Sequence, residues 1–378
     1  MIEPGFSWSD IRKGVDYSML FAVLLLFGFG ILAIFSAGHG LGKTTASYAY
    51  KQLLWGAVSM TVYVAVLFQG YKRFLNWSYG IYAVAIVMLL IISQTGSAVR
   101  GARSWVNLGF ASFQPAEFVK VALILAMARF CYRYPPHTLK HLFYGLALGG
   151  LSLFLVLLQP DLGSTLVLGT ILFAVLVVSG TPGKYIASLV GTGLLLLPVA
   201  WSFLKPYQKN RLLVFLDPTI DPQGAGYNVI QSRIAVGSGG VFGKGFLHGT
   251  QSRLHFLPEP HTDFIFSVFS EEFGFVGGVL ILVLFAFLFW RILSAAFHTK
   301  DLRAKYLCVG VAAWIWFQVM ESIAMSMGLA PVTGLPLPLI SYGGSSLLME
   351  AVALALVQSV AVASSAERVG EDSLWGVN

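Results

Sequence analysis

Ten apolar segments dominate this sequence, and each is long enough to cross a lipid bilayer as a helix. A hydrocarbon core of about 30 Å requires about 20 consecutive apolar residues. Soluble domains carry roughly 25% charged residues, whereas this chain of 378 residues is 57% hydrophobic and 11% charged. The sequence therefore predicts an all-α integral membrane protein with ten transmembrane helices, forming a single polytopic domain over residues 1–378. The segments are 17–38, 49–69, 74–94, 113–130, 142–159, 162–180, 184–204, 264–290, 305–328 and 341–363.

The distribution of Lys and Arg orients these helices, because cytoplasmic loops of membrane proteins are rich in both residues. If the N-terminus is cytoplasmic, most basic residues fall in the inner loops, among them Arg12, Lys72 and Arg303. Both termini are then cytoplasmic, and a long loop of about residues 205–262, between helices seven and eight, lies outside. The net charge of +7 follows from this bias and does not indicate nucleic-acid binding.

Charged residues within the apolar segments cost about 2.5–3.5 kcal/mol each on insertion scales, and they usually face a cavity or a partner. On the orientation above, each lies within roughly 15 Å of the outer end of its helix, at about 1.5 Å per residue. This clustering predicts a polar cavity near the outer face. The residues are Glu117, Lys120, Asp161, Glu271, Glu272, Glu321 and Glu350.

Several of these charges have a structural interpretation beside the functional one. Glu117 and Lys120 are three residues apart on one helix, so they either form an ion pair that fixes helix packing or contact a substrate. Asp161 either caps the helix that follows it or lines the site. We interpret Glu321 and Glu350 as internal hydrogen-bond partners rather than catalytic groups.

Asp263 lies at the junction between the long polar loop and the eighth apolar segment, next to Glu259 and His261. A carboxylate at that junction can meet a lipid-linked substrate and still exchange protons with solvent. Asp263 is therefore the candidate catalytic residue, and Glu259 and His261 could orient it. The alternative is that Asp263 caps helix eight.

Two outer loops carry cations beside glycine or Trp. Arg100, Arg103 and Trp105 lie between helices three and four, where they could grip a pyrophosphate headgroup or anchor the loop at the membrane interface. The glycine-rich segment 237–245 contains Lys244 and could either cradle a phosphate or act as a flexible hinge.

Two further outer segments have distinct patterns. The apolar spacing within 227–236 predicts an amphipathic helix lying on the outer leaflet. Segment 328–346 contains Pro331, Pro336 and Pro338 and no charged residue. Irregular backbone at membrane depth must be buried in protein or line a wet cavity, so we interpret this segment, which includes Ser341, as a re-entrant wall of the outer cavity.

Taken together, six motifs resemble those of the SEDS family of bacterial cell-wall proteins, named for shape, elongation, division and sporulation. The resemblance spans essentially the whole chain. The run Gly249–Ser252 is similar to that of the elongation members of the family rather than the division members. The six motifs are 100–105, 114–120, 159–163, 256–266, 331–338 and 341–346.

The resemblance implies a peptidoglycan glycosyltransferase of the bacterial cytoplasmic membrane, which polymerises lipid II into glycan strands on the outer face during cell elongation. It assigns the family's catalytic aspartate to Asp263 and the family's paired Glu and Lys to Glu117 and Lys120. It also implies a class B penicillin-binding protein, a transpeptidase, as partner.

The resemblance suggests that Asp263 is a general base for the acceptor hydroxyl, while cations stabilise the pyrophosphate leaving group. A divalent metal such as Mg²⁺ could bridge the pyrophosphate and a carboxylate, although the sequence shows no metal site. Two alternatives are a lipid II flippase, which needs a polar route through the inner half as well, and a polymerase of another polyprenyl-linked glycan. The candidate cations are Lys120, Arg100, Arg103, Arg211, Lys244 and Arg253.

Overall fold

The computed structural model describes residues 5–39, 46–95, 97–99, 102–107, 112–254, 256–257 and 259–374. Helices make up nearly all of this structure, and each of the ten predicted apolar segments coincides with one of them. The helices are α1 (Trp8–Gly14), α2 (Tyr17–His39), α3 (Ala46–Gln69), α4 (Tyr71–Thr95), α5 (Pro115–Arg133), α6 (Leu139–Leu158), α7 (Leu162–Val178), α8 (Gly183–Phe203), α9 (Pro206–Leu216), α10 (Ala225–Ser238), α11 (Thr250–Arg253), α12 (Ile265–His298), α13 (Leu302–Met327) and α14 (Gly344–Leu374).

Seven of the described helices are long and apolar enough to cross a membrane, and α7 and α8 are shorter apolar helices. Helix α5 differs because it carries Glu117, Lys120, Arg129 and Arg133. Nearly all of its side chains are buried, and it packs against α4, α7 and α13. A helix surrounded by protein needs no lipid-facing stripe, so α5 can hold charges that a peripheral helix could not.

The prediction of a purely helical chain is wrong at one place, between α4 and α5. Strands β1 (Ser97–Val99), β2 (Ala102–Asn107) and β3 (Ser112–Phe113) form a small antiparallel sheet in the order β1-β2-β3. A short antiparallel sheet lets a connecting segment pair its own backbone groups. The apolar periodicity that identifies membrane helices carries no information about such a short element.

The long polar loop, residues 205–262, contains helices α9, α10 and α11 and a short 3-10 helix at Pro218–Ile220. The prediction of a helix within 227–236 is confirmed by α10. Its apolar face, however, packs on α12 and α13, with Val229 and Ala235 buried. Ser232 also lies within 2.6 Å of both the Ser267 hydroxyl and the Ser326 carbonyl. One face of α10 thus packs on protein, whereas Ile234 is 44% exposed, and the predicted position of α10 on the outer leaflet stays a prediction.

Helix α12 is interrupted at Gly274, whose φ of 66° is outside the helical region. The glycine-rich segment 237–245 packs against this interruption. Phe275 N donates to Gly240 O at 2.9 Å, and Val276 N donates to Val241 O at 3.1 Å. A Cβ at Gly243 would lie 2.0 Å from Glu272 O, which the backbone could not accommodate. The glycines thus permit a close contact between two stretches of backbone.

Candidate active site

Asp263 lies in the turn immediately before α12, and its carboxylate faces the segment between α13 and α14. We call residues 328–343 the proline loop. Phe264 occupies the N-cap position of α12, so the prediction that Asp263 is the N-cap residue is wrong. A Cβ built on Gly334 would lie 3.7 Å from Asp263 Oδ2. Gly334, whose φ is 79°, therefore lies directly against the Asp263 carboxylate.

The turn that carries Asp263 is fastened to the end of the proline loop. Ser341 Oγ donates to Thr262 O at 2.7 Å, and Tyr342 N donates to His261 O at 2.9 Å. The His261 ring stacks on Tyr48 of α3, with ring centroids 4.4 Å apart. Segments far apart in the chain thus fix the backbone on the N-terminal side of Asp263.

Glu259 begins this turn with a φ of 48°, a conformation that non-glycine residues seldom adopt. Its carbonyl accepts a hydrogen bond from Thr262 N at 3.3 Å. Such a conformation costs on the order of 1–3 kcal/mol and persists only where the surroundings impose it. The contacts of His261 and Thr262 with the proline loop supply that constraint.

We expect Ser341→Ala to loosen this turn. The buried Ser341 hydroxyl also accepts a hydrogen bond from Leu337 N at 2.8 Å. Its removal takes away the side-chain partner of both Leu337 N–H and Thr262 C=O, at a cost of about 1–3 kcal/mol. Because the same turn holds Asp263, activity should fall together with the thermal midpoint. Both are measured on the purified variant in detergent.

Ser359→Ala is the matched control for this variant. Ser359 is also buried and also bridges two backbone groups, accepting from Tyr71 N at 3.0 Å and donating to Leu356 O at 2.7 Å. It lies on α14 more than four helical turns from the proline loop. Equal losses of activity in the two variants would mean that Ser341 acts only through stability.

Backbone polar groups of the proline loop are paired by side chains from four surrounding helices. Irregular backbone within a membrane protein needs such partners. The predicted site residue Arg211 belongs to this set, and its guanidinium binds loop carbonyls. The pairs are Arg211 Nη1 with Val332 O (3.1 Å) and Thr333 O (3.4 Å), Gln318 Nε2 with Pro336 O (2.8 Å), Leu339 N with Glu350 Oε2 (2.8 Å), and Gln52 Nε2 with Ser341 O (3.2 Å).

Glu117 and Lys120 form a fully buried ion pair, with Lys120 Nζ 2.7 Å from Glu117 Oε1. Lys120 Nζ also donates to Gln318 Oε1 at 3.1 Å and lies 5.1 Å from the Trp314 ring centroid. Gln318 in turn binds the proline loop at Pro336. Gln318 therefore links the ion pair to the loop that faces Asp263.

Asp161 accepts hydrogen bonds from Ser164 N at 2.9 Å, as the N-cap of α7, and from Gln114 Nε2 at 3.1 Å. The start of α7 also touches the proline loop, since a Cβ at Gly163 would lie 2.9 Å from Leu335 Cγ. The capping interpretation of Asp161 is thus what the structure shows. Through that cap, Asp161 fixes another surface against which the proline loop packs.

Lys244 forms an ion pair with the buried Glu271, at 2.7 Å. Thr250 N and Gln251 N, in the motif typical of elongation members, donate to the same carboxylate at 2.8 and 3.2 Å. Glu271 thereby anchors the segment from Lys244 to Gln251 on α12, about two helical turns from Asp263. Lys244 is engaged in this anchoring contact.

The remaining predicted residues lie on the small sheet or outside the described residues. Arg103 and Trp105 are on β2, shortly before α5, and Arg100 is outside the described residues. Two cavities lie elsewhere in the molecule: one of about 240 Å³ near Gly70 and Lys72, and an apolar one of about 100 Å³ between α2, α3 and α14. The predicted polar cavity around Asp263 stays a prediction.

Sequence reasoning missed the polar residues that connect the site, notably Gln318, Gln52 and Tyr48. A Gln in the middle of an apolar helix was the available signal, since a buried amide needs partners. Among the residues that the structure describes, no group of three or more His, Cys, Asp or Glu side chains is placed to hold a metal ion.

The fold and the site together define a multi-pass membrane protein in which a carboxylate at one helix end faces a loop held rigid by buried polar side chains. Residues 17–366 match the family model described as the cell cycle protein FtsW, RodA and SpoVE. The chain belongs to this family, which is the SEDS family that its motifs resemble, and it is a multi-pass protein of the bacterial inner membrane.

Similar proteins cover nearly the whole chain. The peptidoglycan glycosyltransferase MrdB of Escherichia coli K12 is 38% identical over 93% of this chain and 94% of its own. The peptidoglycan glycosyltransferase RodA of Treponema pallidum is 33% identical over 91% of this chain and 97% of its own.

Solved structures are similar over the same extent. A chain from a peptidoglycan synthase complex, in which polymerization and crosslinking are coordinated, has a TM-score of 0.79, is 33% identical, and covers 93% of this chain and 98% of its own. The rod shape determining protein RodA of Thermus thermophilus has a TM-score of 0.70 at 29% identity, over 92% of this chain and 96% of its own.

Proposed function

We propose that this protein is a peptidoglycan glycosyltransferase that polymerises lipid II on the outer face of the cytoplasmic membrane during cell elongation. The observation that carries the proposal is the carboxylate of Asp263, which directly precedes the N-cap residue of α12 and faces Gly334 of the proline loop. The names of the relatives in Escherichia coli and Treponema pallidum support the same activity.

In the proposed reaction, Asp263 removes the proton from the 4-hydroxyl of an acceptor sugar. The hydroxyl oxygen attacks the anomeric carbon of a donor sugar, and the bond from that carbon to undecaprenyl pyrophosphate breaks with inversion. A general base contributes roughly 10²–10⁴-fold. The remaining acceleration comes from positioning and from stabilisation of the leaving group.

The contacts of the candidate cations bear on which of them could bind the pyrophosphate leaving group. Arg211 and Arg253 bind backbone carbonyls, and Lys120 and Lys244 pair with carboxylates. Arg100 and Arg103, which the sequence places in an outer loop before α5, stay candidate ligands of the leaving group. A divalent cation such as Mg²⁺ could share that charge.

The proposal includes a topology of ten membrane spans in a single domain, with both termini cytoplasmic and residues 205–262 outside. Cys131 and Cys308 are buried, so introduced cysteines can report it. A cysteine at the exposed Thr219 should react with a membrane-impermeant maleimide in intact cells, and one at the exposed Arg73 should not. The reverse labelling pattern would invert the topology and reject the outer location of the site.

We further propose that the partner is a class B penicillin-binding protein. The likeness to a chain from a peptidoglycan synthase complex supports this choice. A lipid-linked polymerase and a transpeptidase act in succession on one glycan strand, so a complex of the two would pass the strand directly.

The decisive experiment is incubation of the purified protein with purified lipid II, alone and with the class B transpeptidase. Glycan polymer resolved by gel electrophoresis is the expected result. Movement of lipid II across vesicles without polymer would instead identify a flippase. Polymer formed only from another polyprenyl-linked sugar would identify a polymerase of a different glycan.

A further inference from the structure

Glu321 on α13 is a buried carboxylate whose two oxygens have no hydrogen-bond partner among the described residues. The residue is only 9% exposed. Its interpretation as an internal hydrogen-bond partner is therefore wrong. The contrast is with Glu350, whose two carboxylate oxygens accept from Leu339 N at 2.8 Å and Ser346 Oγ at 2.7 Å.

A buried carboxylate without donors destabilises the folded state, because it has lost its hydration and forms no hydrogen bonds that compensate for the loss. A Leu or Met at this position would pack without that cost. Unsatisfied buried polar groups are uncommon in native proteins, and each one requires an explanation. Since a carboxylate only accepts hydrogen bonds, the missing component is a donor or a cation.

Glu321 is close enough to Asp263, the candidate catalytic residue, for the two charges to interact, and the Thr333 side chain also lies close to its carboxylate. The Thr333 hydroxyl is itself buried, and the two groups do not meet in hydrogen-bond geometry. Thr333 directly precedes Gly334, the residue that faces Asp263 Oδ2. Asp263, Glu321 and Thr333 are thus grouped around one part of the proline loop.

Two described cations near the proline loop, Lys120 and Arg211, are already engaged. Lys120 Nζ binds Glu117 and Gln318, and Arg211 binds the carbonyls of Val332 and Thr333. A ligand rich in hydroxyl and amide N–H donors could satisfy both Glu321 and Thr333. A sugar that presents one hydroxyl to Asp263 carries such donors on the adjacent ring carbons.

We propose that Glu321 is a specificity-determining residue that accepts a hydrogen bond from the acceptor sugar, through a hydroxyl next to the one that Asp263 deprotonates. This inference rests on the proposed function and adds that the acceptor sugar, not the donor, lies between α13 and the proline loop. Two carboxylates that hold neighbouring hydroxyls fix the orientation of the sugar ring. One of them receives the reacting proton, and the other only positions the ring.

The test combines enzyme variants with acceptor analogues that lack one hydroxyl. Lipid II analogues deoxygenated at C3 or at C6 of the terminal sugar retain the reacting 4-hydroxyl. A site built to bind a hydroxyl discriminates against the analogue that lacks it. With wild type, one analogue should lower kcat/KM about 10- to 100-fold, the value of one hydrogen bond to a charged group. With Glu321→Ala, lipid II and that analogue should have the same kcat/KM.

Glu350→Gln is the matched control, because it alters a buried carboxylate of α14 and preserves both contacts: the Gln carbonyl can accept from Leu339 N of the proline loop, and the Gln amide can donate to Ser346 Oγ. It should leave the discrimination between lipid II and its analogue unchanged. Glu321→Ala and Glu321→Gln should unfold at the same temperature as wild type or higher, since they remove an unsatisfied charge next to Asp263. A Glu321→Ala enzyme that still discriminates like wild type would overturn the inference.

Binding separates failure of this inference from failure of the proposed function. Ligands that bind the folded state raise its unfolding temperature, so lipid II and the deoxy analogues can be compared without turnover. In one outcome, wild type distinguishes lipid II from the analogue in this assay, Glu321→Ala does not, and wild type forms no polymer. That outcome would retain the sugar contact and reject the polymerase. Stabilisation by Mg²⁺ alone that Glu321→Gln abolishes would assign the two carboxylates to a cation and overturn the sugar contact.

Discussion

Replacing Asp263 with Asn is expected to slow lipid II polymerisation by roughly 10²–10⁴-fold, the usual contribution of a general base. Asn keeps the shape of the side chain and cannot accept the proton of the acceptor hydroxyl. The variant should remain folded, because it removes one of two neighbouring like charges, those of Asp263 and Glu321. The measurements are the initial rate of polymer formation and the unfolding midpoint of the same preparation.

Asp217→Asn provides the matched control in the long loop. Hydrogen bonds from the Thr219 hydroxyl and backbone N–H hold the pKa of Asp217 below its usual range, so its carboxylate is ionised at neutral pH. It is exposed and lies at the start of the short 3-10 helix. The polymerisation rate of Asp217→Asn should equal that of wild type. An Asp263→Asn variant with the same rate as this control would remove Asp263 from the reaction.

The second large effect is expected for Lys120→Met. Breaking a buried ion pair leaves one uncompensated charge, here that of Glu117, and typically costs 3–5 kcal/mol. The substitution also removes the hydrogen bond from Lys120 to Gln318, which holds the proline loop. The unfolding midpoint and the polymerisation rate should therefore both fall sharply.

Lys120→Met combined with Glu117→Leu separates the two roles of the pair. Replacing both partners of a buried ion pair by apolar residues is often neutral or stabilising. If the pair acts only in packing, the double variant should recover both stability and activity. We expect recovery of stability without recovery of activity, because Gln318 loses its hydrogen bond from Lys120 in both variants and keeps the one from Trp314 Nε1.

Arg291→Met serves as a control for loss of an ion pair in general. Arg291 Nη2 lies 2.6 Å from Asp16, and the Arg291 side chain is 27% exposed. Partly exposed pairs contribute about 0–1 kcal/mol. A loss of stability as large as that of Lys120→Met would contradict the special cost assigned to the buried pair.

The positions of the long helices could be predicted from the sequence, although α12 and α14 extend 8 and 11 residues beyond the predicted ends at 290 and 363. Hydropathy reports how much apolar length is available, and the bilayer fixes how much is needed. Asp263 could be selected as a candidate in the same way, because the sequence alone shows a charge at the edge of an apolar segment. That Phe264 rather than Asp263 holds the N-cap position of α12 required the structure.

The contacts within the site could not be predicted because they join distant parts of the chain. Gln52 on α3 binds Ser341, and Gln318 joins Lys120 to Pro336. Such pairs depend on how helices pack, which the periodicity of a single segment does not determine. The small sheet was missed because its strands are shorter than any hydrophobic period can reveal.

The interruption of α12 at Gly274 sets the depth at which the chemistry takes place. Every residue from Ile265 to Glu272 is buried in protein, whereas Phe275 and Val276 are 70% and 50% exposed. Residues 275–298 extend about 36 Å at about 1.5 Å per residue, enough to cross a hydrocarbon core of about 30 Å. On the proposed orientation, Asp263 then lies about 16 Å beyond the interruption. The proposed reaction would then take place at the height of the lipid headgroups, with the polyprenyl chain in the hydrocarbon core.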